Sequence, residues 1–161
     1  MRGWPVRGIG VGGQALAPYS NGLFNDRTGD IQLEGNAEYR FNVAPLFSNS
    51  VFFKMALFTD IGNIWNFKNT QPNGSYDTTQ FKFQNLYQQL GVSSGVGFRF
   101  DFSYFLIRFD VAFRFKRPDV IENDGWQFPA ITPGHLFGST QDDRIWRYQN
   151  FNATIGIGYG F

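Results

Sequence analysis

The chain has 161 residues and no cysteine, which suits one domain or part of one and excludes both a disulfide framework and a thiolate metal or redox site. With 14 Lys and Arg against 13 Asp and Glu, the formal charge is +1, which makes no electrostatic case for nucleic acid. Aromatic residues are 19% of the chain and 19 residues are Gly; a soluble globule would fill its core mainly with Leu, Ile and Val, so a wall aromatic on one side and polar on the other fits better.

The first residues, Met1-Arg2-Gly3-Trp4-Pro5-Val6-Arg7, lack the apolar run of a secretory leader. Nowhere does the chain hold the roughly 18 consecutive apolar residues of a spanning helix, so any membrane crossing must be made by strands. The missing leader is then read as a chain that starts after processing or lies within a longer protein. Gly8-Ile9-Gly10-Val11-Gly12-Gly13 satisfies G-x-G-x-x-G. No strand precedes it and Pro18 stops a following helix, so it is read as a close-packed glycine loop rather than a nucleotide site.

Five segments then alternate apolar and polar residues. In the first, Ile31, Leu33, Gly35, Ala37, Tyr39, Phe41 and Val43 face one way, and Gln32, Glu34, Asn36, Glu38, Arg40 and Asn42 the other. The second sets Val51, Phe53, Met55, Leu57, Thr59 and Ile61 against Phe52, Lys54, Ala56, Phe58, Asp60 and Gly62. The third opposes Leu90, Val92, Val96, Phe98, Phe100 and Phe102 to Gln89, Gly91, Ser93, Gly95, Gly97, Arg99 and Asp101. After a turn at 101–104, the fourth places Phe105, Ile107, Phe109, Val111, Phe113 and Phe115 opposite Arg108, Asp110, Arg114 and Lys116. The last, expected over 148–161, puts Phe151, Ala153, Ile155, Ile157, Tyr159 and Phe161 on one side and Asn150, Asn152, Thr154, Gly156, Gly158 and Gly160 on the other.

Each run reaches the roughly 9–11 residues with which a tilted strand crosses a bilayer. Arg40, Lys54, Arg99, Arg108, Asp110 and Arg114 would each be costly unpaired in a dry core, whereas a wet lumen with interleaved charges tolerates them. The apolar faces are therefore expected to meet lipid. Long polar segments at 66–85 and 117–147 alternate with short links at 44–50 and 101–104, the asymmetry of outer loops and periplasmic turns. Trp65, Phe67, Tyr87, Tyr104 and Tyr148 are placed near strand ends, as in an interfacial girdle.

Other motifs carry little. Asn73-Gly74-Ser75 matches a glycosylation sequon but reads as a turn, and His135 has no second His for a metal. Asp142-Asp143 reads as solvated loop charge, with only weak capacity for a divalent ion. No catalytic constellation is found, so no enzyme, cofactor or metal is expected. The combination that stands out is Arg2-Gly3-Trp4 with Glu38 and Asp60, two acids that neighbouring strands point to the same side.

These residues resemble two signatures of the outer-membrane assembly and translocation barrels of the BamA and TamA type, the bacterial surface antigen family. In that family an Arg-Gly-aromatic loop tip folds into the lumen, where its Arg meets wall acids, including the Asp of Phe-x-Asp-x-Gly. Arg2, Gly3 and Trp4 match the tip, Phe58, Asp60 and Gly62 the strand motif, and Glu38 the acid of the preceding strand. Residues 91–100 followed by 106–110 look like the family's penultimate hairpin, although its usual Ser-Pro-x-Gly turn is replaced by 101–105. Thr154, Gly156, Tyr159 and Phe161 are similar to the carboxy-terminal signal read by assembly machinery.

The resemblance implies an all-β fold: a transmembrane antiparallel β-barrel segment, about five strands of a sixteen-stranded barrel, with 1–28 as lumen loop and connection and 29–161 as the last strands. About five strands are too few to close a barrel, so the chain is expected to be a fragment or part of a larger assembly. The implied setting is the bacterial outer membrane. The implied partners are its lipid, the missing amino-terminal strands and periplasmic domains, and client outer-membrane proteins. The implied work is insertion of those clients by strand exchange at the seam between last and first strands. Alternatives are a barrel of the same superfamily used for two-partner secretion or as anchor of a fused phospholipase, and, from another class, a soluble sugar-binding β-sandwich.

Overall fold

The computed structural model describes residues 1–14, 27–47, 50–71, 75–102, 104–128 and 132–159. Five strands, β1 (Ile31–Leu46), β2 (Val51–Trp65), β3 (Gly91–Phe102), β4 (Phe105–Lys116) and β5 (Phe151–Tyr159), form one open antiparallel sheet in chain order. The strands follow the alternating runs, because only a period of two keeps the apolar residues of neighbouring strands on one face. β3 and β4 have 12 residues each. At about 3.3 Å per residue and a tilt of about 40°, such strands rise about 30 Å, the thickness of a hydrocarbon core.

The register sorts the two faces. One row runs Glu38, Phe58, Gly95, Ala112 and Asn152 across all five strands, and another runs Asn42, Lys54, Arg99, Arg108 and Gly156. On the opposite face the row is Ala37, Thr59, Ser94, Phe113 and Phe151. Ile155 and Ile157 on that second face are 71% and 76% exposed, an arrangement that suits lipid and not water. Thr59 and Ser94, polar residues on this face, bond each other at 2.8 Å and so leave neither hydroxyl without a partner.

The boundaries differ from the sequence reading at both hairpin and loop ends. β1 runs on through Pro45 to Leu46, so the first turn spans only 47–50. A register shift between Asn42 and Ala44 makes this possible, since a bulge on an outer strand accommodates a residue without an N–H. The last strand starts at Phe151 rather than Tyr148, because 148–150 form the end of a helix. Gly160 and Phe161, Ser103, and Asn73 and Gly74 of the sequon lie outside the described residues.

Among the described residues the two long loops hold three short α-helices: α1 (Leu86–Gln89), α2 (Pro133–Phe137) and α3 (Gln141–Asn150). Thr140 starts α3 with a capping box, its Oγ1 accepting from the Asp143 backbone while the Asp143 carboxylate accepts from Thr140. Asp143 also lies 3.1 Å from His135 Nδ1, and the His135 ring stacks on Trp146. The two residues read as solvated charge and a solitary histidine therefore tie α2 to α3. Trp146 packs against Phe113 and Phe151, and Phe128 against Phe115, so this loop leans on the apolar face at the outer rim.

Trp65 is not a girdle residue. It is fully buried, donates Nε1 to Gln89 Oε1 at 2.7 Å and meets Phe81 edge to face, whereas Phe67, Tyr87, Tyr104 and Tyr148 are exposed. The glycine loop explains why burial extends so far up β2. Gly12 N donates to Ile64 O at 2.7 Å and Gly13 N to Thr78 O at 3.0 Å, and a Cβ on Gly12 would strike Thr78 O. Gly12 also has φ of +54°, so the glycines serve close packing over the outer mouth of the wall.

Asp77 organises the 66–85 loop. It is buried and accepts from Thr70 N (2.7 Å), Thr70 Oγ1 (2.8 Å), Thr79 N (2.8 Å) and Thr79 Oγ1 (2.7 Å). Burial pushes its carboxyl upward, but these four donors hold it well below the usual carboxylate range. A lowered value stabilises the loop fully above the ordinary aspartate value and is lost as the proton returns, so protection should weaken only below about pH 4. Limited proteolysis against pH checks this; Asp77→Ala should expose the loop at neutral pH, and an unchanged cleavage rate would contradict the assignment.

Candidate functional site

The amino-terminal residues lie against the polar face of the sheet. Arg2 is forked between strands: Nε and Nη2 donate to Asp60 Oδ2 and Oδ1 at 3.1 and 2.7 Å, and Nη1 donates to Glu38 Oε2 at 2.6 Å. Its backbone N–H adds a 2.7 Å bond to Asp60 Oδ2. The guanidinium also lies over the Phe58 ring, 3.6 Å from the centroid, so its face is occupied as well as its edge. Asp60 is 2% exposed, which makes Arg2 the cation that compensates a carboxylate removed from water.

Glu38 is a shared node. Its Oε1 accepts from Arg40 Nε at 2.6 Å and Arg99 Nη2 at 2.5 Å, while Oε2 faces Arg2. Lys54, on the polar face of β2, pairs with Asp101 at 2.7 Å and not with Glu38. Arg99 sits directly opposite Arg108 in the register, and like charges at such positions repel. Each is answered by an acid: Arg99 by Glu38, and Arg108 by Asp110 at 3.2 Å.

Gly3 and Trp4 complete the tip. An ideal Cβ on Gly3 would collide with Ser93 Cβ and lie 2.6 Å from Ser93 Oγ, so only glycine lets the backbone settle on β3. Trp4 is buried, and its ring rests where a Cβ on Gly91 would lie 2.9 Å away. Two further residues hold the tip by its backbone. Arg114 donates Nε to Gly3 O at 2.6 Å, and Asn152 donates Nδ2 to Arg2 O at 2.7 Å.

The structure thus brings Arg2, Gly3, Trp4, Glu38 and Asp60 into one site. Gly62 lies on the same strand face as Asp60, but its bareness serves the wall: a Cβ there would strike Leu33 O and lie 3.0 Å from Glu34 Cα. Thr154 and Gly156 are on β5 opposite Asp110 and Arg108, Tyr159 is paired with Phe105 at its far end, and Phe161 is outside the described residues. Sequence reasoning did not assign Arg99, Arg114 or Asn152 to this site, and it read Phe58 as part of the strand motif, not as the ring beneath Arg2. The first three were already on polar faces, and Phe58 was the aromatic out of place on one.

The arrangement positions and pins; it contains no nucleophile next to a base. Among the described residues no group of three or more His, Asp or Glu is placed to hold a metal ion. No helix of the described residues is long and apolar enough to cross a membrane. A family model, the Omp85 superfamily domain, matches residues 1–130. No curated protein and no solved structure matches the chain.

Proposed function

The chain belongs to the Omp85 superfamily of outer-membrane β-barrel proteins, and from that membership we propose that it is the carboxy-terminal wall of a factor that inserts other barrel proteins into the bacterial outer membrane. The observation that carries this reading is the loop tip pinned by Arg2 to Asp60 and Glu38 on the inner face of the sheet. In this reading an incoming client strand adds at the seam beside the last strand, and a fixed loop keeps the wall in register while that seam changes partners. The work requires no covalent step and no cofactor, since backbone groups finding partners and apolar surface entering lipid supply the driving force.

In this reading the partners are outer-membrane lipid, the strands and periplasmic domains that complete the barrel, and client barrel proteins. The experiment is depletion of the full-length protein carrying this chain, followed by quantification of the outer-membrane proteome. A joint fall of many unrelated barrel proteins is expected. Loss of a single exported protein would replace the proposal with two-partner secretion, and an unchanged proteome would leave an anchoring role. Recovery of the protein in soluble form without detergent would instead favour a sugar-binding sandwich.

A further inference from the structure

We propose that Arg114 and Asn152 latch the loop tip to the last strand, so that the seat of the loop and the outer end of β5 open and close together. Two successive carbonyls of the tip are held from the β4–β5 side: Arg2 O by Asn152 Nδ2 at 2.7 Å and Gly3 O by Arg114 Nε at 2.6 Å. The Arg2 side chain is held from the β1–β2 side by Glu38 and Asp60. The tripeptide is therefore a strut across the inner face, from β1 to β5.

Arg114 extends the tie beyond the strand. Its Nη1 donates to Gln149 O at 2.6 Å, and Gln149 belongs to the last turn of α3, two residues before β5 begins. Its guanidinium also lies 5.5 Å from the centroid of the Trp4 ring. Arg114 is 5% exposed, so all three contacts form where water competes poorly. One planar side chain thus joins the tip backbone to the point where the outer loop becomes β5.

β5 is the element on which such a tie weighs most. It pairs with β4 from Phe113↔Phe151 to Phe105↔Tyr159, so Asn152 sits at its outer end, next to the turn from α3. The end of a strand opens at lower cost than its middle, so a single side-chain bond there shifts the opening equilibrium measurably. Coupling of this kind is reciprocal: whatever loosens the tip loosens β5, and the reverse. No client protein enters the argument, so the latch and the insertion reading stand or fall separately.

The test is hydrogen exchange of the full-length protein in bilayers, read at residues 2–4 and at 151–154. Asn152→Ala should raise exchange in both segments by about fivefold, the effect of losing one ordinary hydrogen bond. Asp60→Asn, which alters the far end of the strut and touches no residue of β5, should raise exchange at 151–154 as well as at the tip. Arg114→Lys keeps the charge but not the fork and should act as Asn152→Ala does, which covers the case of a poorly folding variant. Ile155→Ala, on the lipid-facing side of β5, should leave the tip at the wild-type rate. Faster exchange at the tip alone after Asp60→Asn, or equal acceleration of the tip by Ile155→Ala, would overturn the latch.

Discussion

Arg2→Ala is expected to free the loop tip and to destabilise the wall by about 3 kcal/mol, the lower end of the range for removing one partner of a buried ion pair. Asp60 would keep its carboxylate at 2% exposure without the guanidinium that compensates it. The lower end is chosen because Arg2 and Glu38 retain 17% and 16% side-chain exposure, so water partly replaces the lost cation. Arg2→Lys should rescue little. A single ammonium cannot place donors on both Asp60 oxygens and on Glu38 at once, nor lie flat on Phe58. Thermal unfolding with limited proteolysis of the loop reads this out, and a lysine variant equal to wild type would contradict the forked geometry. In the double variant with Asp60→Ala the cost should be well below the sum of the singles, since both remove the same contact.

Gly3→Ala should have the next largest effect, about 1–3 kcal/mol, and for a purely steric reason. The added methyl would meet Ser93, which is completely buried, so neither residue can swing aside without moving backbone. Lifting the tip would lengthen the Arg114 bond to Gly3 O and draw Arg2 away from Asp60. Because the obstacle is one side chain, Gly3→Ala combined with Ser93→Gly should restore both stability and loop protection. Failure of that pair, with Ser93→Gly harmless alone, would place the cost elsewhere.

The strands were legible because lipid on one side and a polar lumen on the other impose strict alternation over a dozen residues. Their ends were less so. Pro45 marks a turn by composition, yet a bulge carries β1 past it, and bulges leave no periodic trace. Tyr148 fits an alternating run, but the capping box at Thr140 commits the chain to α3 until Asn150. That box, Thr-x-x-Asp, and Thr132-Pro133 at the start of α2 were the local signals for helices in the 117–147 segment. Within the site, alternation put Glu38 and Asp60 on a shared face, and the resemblance to the family's Arg-Gly-aromatic tip brought Arg2 to them. Arg114 and Asn152 were not, since they bind loop carbonyls, and no pattern of side chains reveals where a folded loop presents its backbone. Trp65 was misplaced for a related reason: its exposure depends on the glycine loop and α1 closing over it.

The most direct test of the account is a spin-label accessibility scan along β4 of the full-length protein in bilayers. Labels at Ile107, Phe109 and Val111 should be reached by oxygen dissolved in lipid, and those at Arg108 and Asp110 should not. Phe113 should be shielded, because Trp146 and Phe151 cover it. Oxygen accessibility that fails to alternate, or that is higher at Arg108 and Asp110 than at their neighbours, would contradict a wall with lipid on its apolar face and the pinned loop on the other.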